Sequence, residues 1–359
     1  MRKNIIQPNP VISHGVPAFC GNVSSDAAAA NNADYHSFWE SSSPDYIAFD
    51  LSAVPENQRE TVIAVWYNES TYDNIGNYVS KSAVPTDYTI EVNSSAGDKF
   101  PEKGWVTAIS VTDNPLSSRQ HILRMKGFNW IRMNISRSDS TANCRIKLNL
   151  DIHDVSDGVS DSWLFLGDSI TACGMNNCYG TGFASHIHAV APCYFPVQEN
   201  GGIGGTSSAH GKENIHRWLS MYEGRFVSVA YGTNDAWGNY TGAENYYANI
   251  RYIIDTVIAS GKIPVLPTIP HASANDVGTY LPDYNSMVKR LWAEYGESLI
   301  RGADLESFIR ENPHYLSADG VHPTAEGYEA IRKFWALSMQ KLYDILKATQ
   351  HKARLTALY

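Results

Sequence analysis

Cysteine is scarce in this chain, and the few thiols present form no ligand set. Cys20, Cys144, Cys173, Cys178 and Cys193 are an odd five with no CxxC pair and no histidine at metal-ligand spacing, which argues against a structural zinc site. Cys173 and Cys178 can bridge only in an oxidising compartment, and small buried thiols are the simpler reading. Also missing is any run of about 18 apolar residues, the length that marks a membrane helix. Lys and Arg never cluster, and a net charge of -9 repels a phosphate backbone. Neither a membrane nor nucleic acid is an expected partner. Met1-Arg2-Lys3 is basic, but Asn4 to Pro8 supplies no apolar stretch of the export-signal type. That favours a cytoplasmic location, with an extracellular one open if a signal has been trimmed.

What is present is an ordinary globular composition, 43% hydrophobic and 18% charged, in 359 residues, which is more than one core usually organises. Two domains are therefore expected. Over residues 1–153 apolar residues alternate with polar ones, as in Tyr88-Ile90-Val92, Ile131-Met133-Ile135 and Cys144-Ile146-Leu148-Leu150. Period-two patterning separated by turn residues predicts an all-β sandwich or jelly roll. The polar run at 154–161 reads as a linker.

From 162 to 359 the pattern changes to short apolar runs alternating with helical spacing. Candidate strands are Trp163 to Leu166, Tyr194 to Gln198, Phe226 to Ala230, Ile263 to Thr268 and Leu299 to Ala303. Tyr246, Ile250, Ile253, Ile254 and Val257 recur on one helical face, as do Tyr328, Ile331, Trp335, Leu342 and Ile345. Strands alternating with helices predict a parallel sheet in a three-layer α/β/α domain, whose chemistry collects at the strand C-termini.

Those strand exits carry the residues of interest. Gly167-Asp168-Ser169-Ile170 follows the first strand, and a serine hydroxyl needs a base and a carboxylate to orient that base. Asp319-Gly320-Val321-His322-Pro323 supplies both ahead of the last helix, with Pro323 expected in that helix's first turn. Donors for a developing oxyanion can come from the glycine loop Asn200 to Thr206 after the second strand and from Asn234 in Tyr231-Gly232-Thr233-Asn234-Asp235 after the third. Asp168 and Asp235 read chiefly as local anchors. Asp168, His210 and Trp237 are also candidates for contacting substrate.

The four blocks, in this order, resemble the SGNH (GDSL-like) hydrolase superfamily over roughly residues 160–350. The resemblance implies a flavodoxin-like α/β domain with Ser169 as nucleophile, His322 as general base and Asp319 as its orienting carboxylate. It implies oxyanion donors at the Ser169 N–H, the Gly205 N–H (Gly204 being the neighbouring alternative) and the Asn234 side chain, with no metal and no cofactor. Asn9 to Ser13, Asp34 to Trp39 and Tyr46 to Leu51 resemble galactose-binding-like jelly rolls. A jelly roll ahead of an SGNH domain is the arrangement of acetyl-xylan-esterase-type carbohydrate esterases, which implies an acylated carbohydrate substrate. A longer-chain esterase or lysophospholipase, and a carbohydrate-binding protein with a non-catalytic SGNH-like domain, are the alternatives. The sugar, the hydroxyl position and the oligomeric state are not legible in the sequence.

Overall fold

The computed structural model describes residues 5–69, 83–140 and 143–343. These fall into two compact units: one holds residues 5–8 and 160–343, the other 9–69, 83–140 and 143–159.

The β unit is built from β1 (Ala18–Cys20), β2 (Trp39–Ser42), β3 (Asp45–Asp50), β4 (Thr61–Tyr67), β5 (Pro85–Asn93), β6 (Val106–Val111), β7 (Ser118–Arg124), β8 (Trp130–Ser138) and β9 (Arg145–Asp154). They pair antiparallel in two sheets, ordered β1-β3-β8-β5-β6 and β2-β9-β4-β7. The alternation expected in β5 and β8 is present, with Tyr88, Ile90, Val92, Ile131, Met133 and Ile135 turned into one apolar core with Trp39, Trp66 and Leu148. β4 is different. Its run Val62-Ile63-Ala64-Val65-Trp66 is buried at every position, as a continuous apolar strand requires.

The second unit contains β10 (Ser162–Gly167), α1 (Ser169–Gly174), α2 (Phe183–Val190), β11 (Val197–Gly202), α3 (Ser208–Ser220), β12 (Phe226–Ala230), α4 (Thr233–Ala236) and α5 (Ala243–Ala259). It continues with β13 (Ile263–Leu266), α6 (Asn275–Gly278), α7 (Leu281–Tyr295), β14 (Ile300–Arg301), α8 (Leu305–Glu311) and α9 (Ala325–Met339). The sheet is parallel throughout and ordered β11-β10-β12-β13-β14. Its first strand is flanked by the second and the third, so the direction of winding reverses at β10. The crevice of a doubly wound sheet opens at such a point, outside the strand C-termini. Aromatic residues tie strand to strand and sheet to helix: Trp163 of β10 stacks on Phe226 of β12 with ring centroids 4.4 Å apart, and Phe165 meets Trp335 of α9 edge-on.

Three expectations change. The second strand is Val197–Gly202 rather than 194–198, so Asn200 to Gly202 belong to the ladder, and the turn proper is Ile203 to Thr206. The glycines belong in the strand because α1 crosses it closely: a Cβ on Gly202 would stand 2.2 Å from the Ala172 nitrogen. The stretch 154–161 is no solvated linker, since Val155 is buried and Asp161 is wholly buried, accepting from Trp163 Nε1 (3.1 Å) and Tyr343 Oη (2.9 Å). Residues 5–8 join the α/β unit rather than the β unit: Ile6 lies in its core and donates its N–H to the Leu342 carbonyl at 2.9 Å. Ile345, expected on the last helical face, lies outside the described residues. Cys20, Cys144 and Cys173 are free thiols, so Cys173 does not bridge to Cys178.

Candidate active site

Asp168 caps α1, its Oδ1 accepting the Ile170 N–H at 2.9 Å, and this places Ser169 at the first helical position at the exit of β10. Gly167 permits the close pass, because a Cβ there would lie 2.7 Å from the Ala230 carbonyl oxygen of β12. The second component comes from the segment before α9. Ser317 N–H donates to the His322 carbonyl (2.8 Å), and Gly320 takes a positive φ of 69°, closing a tight turn. Pro323 stands just before the helix instead of in its first turn, and Thr324 is the cap, accepting from the Gly327 N–H at 3.0 Å.

This turn brings His322 Nε2 to 2.8 Å from Ser169 Oγ, and Asp319 Oδ2 to 2.7 Å from His322 Nδ1. The other Asp319 oxygen accepts the N–H groups of Val321 (2.8 Å) and His322 (2.9 Å) and the Ser317 hydroxyl (2.8 Å). Those donors, the Val321 N–H first, hold the Asp319 carboxyl well below the usual carboxylate range. A permanently ionised carboxylate therefore faces Nδ1, the arrangement that leaves Nε2 free to take a proton from a hydroxyl.

Three N–H groups stand after the exits of the adjacent strands β10, β11 and β12. Ser169 N–H and Gly205 N–H have no acceptor among the described residues. Gly205, at φ 73°, is exposed. Asn234, on α4, commits one hydrogen of its amide to the Thr206 carbonyl at 2.9 Å, which fixes the orientation of the side chain and leaves one amide hydrogen uncommitted. The two loops are clamped together from beneath. Asp235 is fully buried and accepts the Ser208 N–H (2.9 Å) and the Ser208 hydroxyl (2.5 Å), so the start of α3 is tied to α4.

The three candidates for substrate contact separate. Asp168 is only 2% exposed and serves as the helix cap; burial pushes its carboxyl up to about 6. His210 and Trp237 do line an open cleft with Gly205 and Asn234. Tyr240, 80% exposed on the same cleft, was not legible in the sequence, where nothing marks one tyrosine among 21 as exposed. Two other histidines serve locally: His186 pairs with Glu329 at 3.1 Å and His188 with the Tyr194 carbonyl at 3.0 Å. No group of His, Cys, Asp and Glu suited to a metal ion occurs among the described residues.

The parallel sheet with its flanking helices, the strand-exit serine and the Asp-His line fit an α/β/α domain of the SGNH type. Residues 165–330, which lie within the second unit, match the GDSL-like lipase/acylhydrolase family. A multidomain esterase of Ruminococcus flavefaciens is 28% identical over 138 residues, which are 37% of this chain and 17% of that protein. This chain thus spans under a fifth of that relative's length. The thioesterase 1/protease 1/lysophospholipase L1 of Escherichia coli is 24% identical over 192 residues, covering 52% of this chain and 86% of its own. An acetylxylan esterase of Geobacillus stearothermophilus is 24% identical over 200 residues, covering 48% of this chain and 90% of its own. Its crystal structure superimposes with a TM-score of 0.42 at 22% identity, covering 52% of this chain and 94% of that one.

Proposed function

We propose that the protein is a serine esterase that removes short acyl groups, chiefly acetyl, from O-acylated sugars or oligosaccharides. The carrying observation is the unbroken line from Ser169 Oγ through His322 to Asp319, at 2.8 and 2.7 Å. Ser169 Oγ attacks the ester carbonyl while His322 Nε2 takes its proton. The oxyanion is met by the N–H groups of Ser169 and Gly205 and by the free amide hydrogen of Asn234, and Gly205 is favoured over Gly204 because it shares the cleft with Asn234. Collapse of the tetrahedral intermediate breaks the ester C–O bond, and the imidazolium returns its proton to the leaving alcohol. Water, activated by the same imidazole, then releases the acid from Ser169. Every one of these groups belongs to the chain itself.

The acetyl-sugar reading is supported by the likeness to an acetylxylan esterase and by the lining of the cleft, polar and aromatic where a long acyl chain calls for aliphatic walls. Ser169→Ala is expected to abolish turnover of 4-nitrophenyl acetate and labelling by a fluorophosphonate; retained turnover would remove Ser169 from its role. A preference for octanoyl over acetyl esters would move the reading to a long-chain esterase or lysophospholipase, the activity named in the Escherichia coli relative.

A further inference from the structure

Beside the oxyanion donors lies the open cleft whose walls are Thr206, Ser207 and His210 on one side and Trp237 and Tyr240 on the other. Two large aromatic rings exposed to water within four residues need a reason, since Trp237 is 43% exposed and Tyr240 80%. They do not belong to a loose loop. Tyr240 N–H donates to the Trp237 carbonyl (3.1 Å), and Thr241 N–H to the Asp235 carbonyl (3.1 Å). Tyr284 Oη donates to the Asp235 carbonyl (2.7 Å) and lies 3.1 Å from Asn239 Oδ1. Gly238 and Asn239 accept positive φ values of 57° and 56° so that the chain can make this turn. A pinned turn thus holds out two rings on the cleft that Gly205 and Asn234 also line.

The chemistry of the walls selects the occupant. None of the lining residues is acidic or basic apart from His210, and burial holds that imidazole below its ordinary range, uncharged near neutrality. A phosphate or other anionic head group finds no cation there. An alkyl chain finds no aliphatic wall. A pyranose ring offers both complements, a face of C–H bonds for the negative face of an aromatic ring and hydroxyls for Thr206, Ser207 and His210.

We propose that this cleft is a sugar-ring subsite, with Trp237 and Tyr240 as its stacking platform. The proposal rests on the sugar-ester reading above and assigns the residues that confer it. The test compares kcat/KM of Trp237→Ala, Tyr240→Ala and the double variant on acetylated xylo-oligosaccharides, acetylated manno-oligosaccharides and 4-nitrophenyl acetate. The expected result is at least a tenfold fall in the ratio of kcat/KM on one oligosaccharide to that on 4-nitrophenyl acetate, carried by KM, with Trp237→Phe and Tyr240→Phe restoring most of it. Equal losses on all substrates, or an unchanged ratio, would overturn the subsite while leaving the esterase reading in place. A wild-type protein that cleaves 4-nitrophenyl acetate but neither oligosaccharide would overturn the sugar-ester reading and the subsite with it.

Discussion

Asp168 caps the helix that begins at Ser169 and Asp319 faces His322, and their surroundings drive their acidities in opposite directions. Asp319 is half exposed and meets three donors besides the imidazole. Replacing it with Asn would keep an oxygen for those donors but present an amide to His322 Nδ1, favouring the wrong tautomer. Asp319→Asn is therefore expected to lower kcat by on the order of 10³ to 10⁴ with little change in KM, read by steady-state kinetics. Asp168 is buried, and its carboxyl is raised from 3.8 to about 6. A raised carboxyl binds a proton in the folded state that the unfolded chain has already lost, so stability falls as pH rises from about 4 to about 6 and is level above. Asp168→Asn removes that loss. Its melting temperature relative to wild type should climb between pH 4 and pH 6 and then hold constant; a difference independent of pH would show that Asp168 is not the titrating group. Ser169, Asp319 and His322 were legible because each lies in a short motif at an element boundary. The dual reading of Asp168 was resolvable only by burial, which no motif records.

At the scale of elements, the site depends on how two strand-exit turns are joined. Asp235 is the joint, and its carboxyl, raised by burial, is opposed by the donors from Ser208. Asp235→Ala leaves the Ser208 N–H and hydroxyl buried without their acceptor, a loss of about 1–3 kcal/mol. Because the same joint aligns Gly205 with Asn234, kcat should fall together with the melting temperature, and Asp235→Asn should recover part of both. A variant that loses stability but keeps kcat would show that the turns are aligned by other means. β10, β12, α5 and α9 were legible in the sequence because each is a bounded apolar run or a helical stripe. β11 was displaced because Gly201 and Gly202 look like loop residues until the Ala172 backbone is seen pressing on them. β13 and β14 came out shorter than their apolar runs. Pro264 and Pro267 withhold ladder donors at β13.

At the scale of the whole chain, the change of patterning near residue 160 was visible, but the return of residues 5–8 was not, since a four-residue stretch carries no periodicity to assign. Gln7 N–H donates to Ser160 Oγ at 2.8 Å, and Tyr194 Oη to the Ile6 carbonyl at 3.2 Å. At the other unit's edge, the Asp154 N–H donates to the Pro10 carbonyl at 2.9 Å, next to the bridge between Val11 and His153. The sandwich is therefore an insertion. The chain begins one unit, departs at Pro8, completes a second, and resumes the first at Ser160, with each pair of crossing points held side by side. Such a guest can be spliced out, because its host already brings the two cut ends within one hydrogen bond. A chain joining Pro8 to Ser160 through a few glycines should keep cooperative thermal unfolding and fluorophosphonate labelling of Ser169. Loss of cooperative unfolding would mean that the host cannot close without its guest.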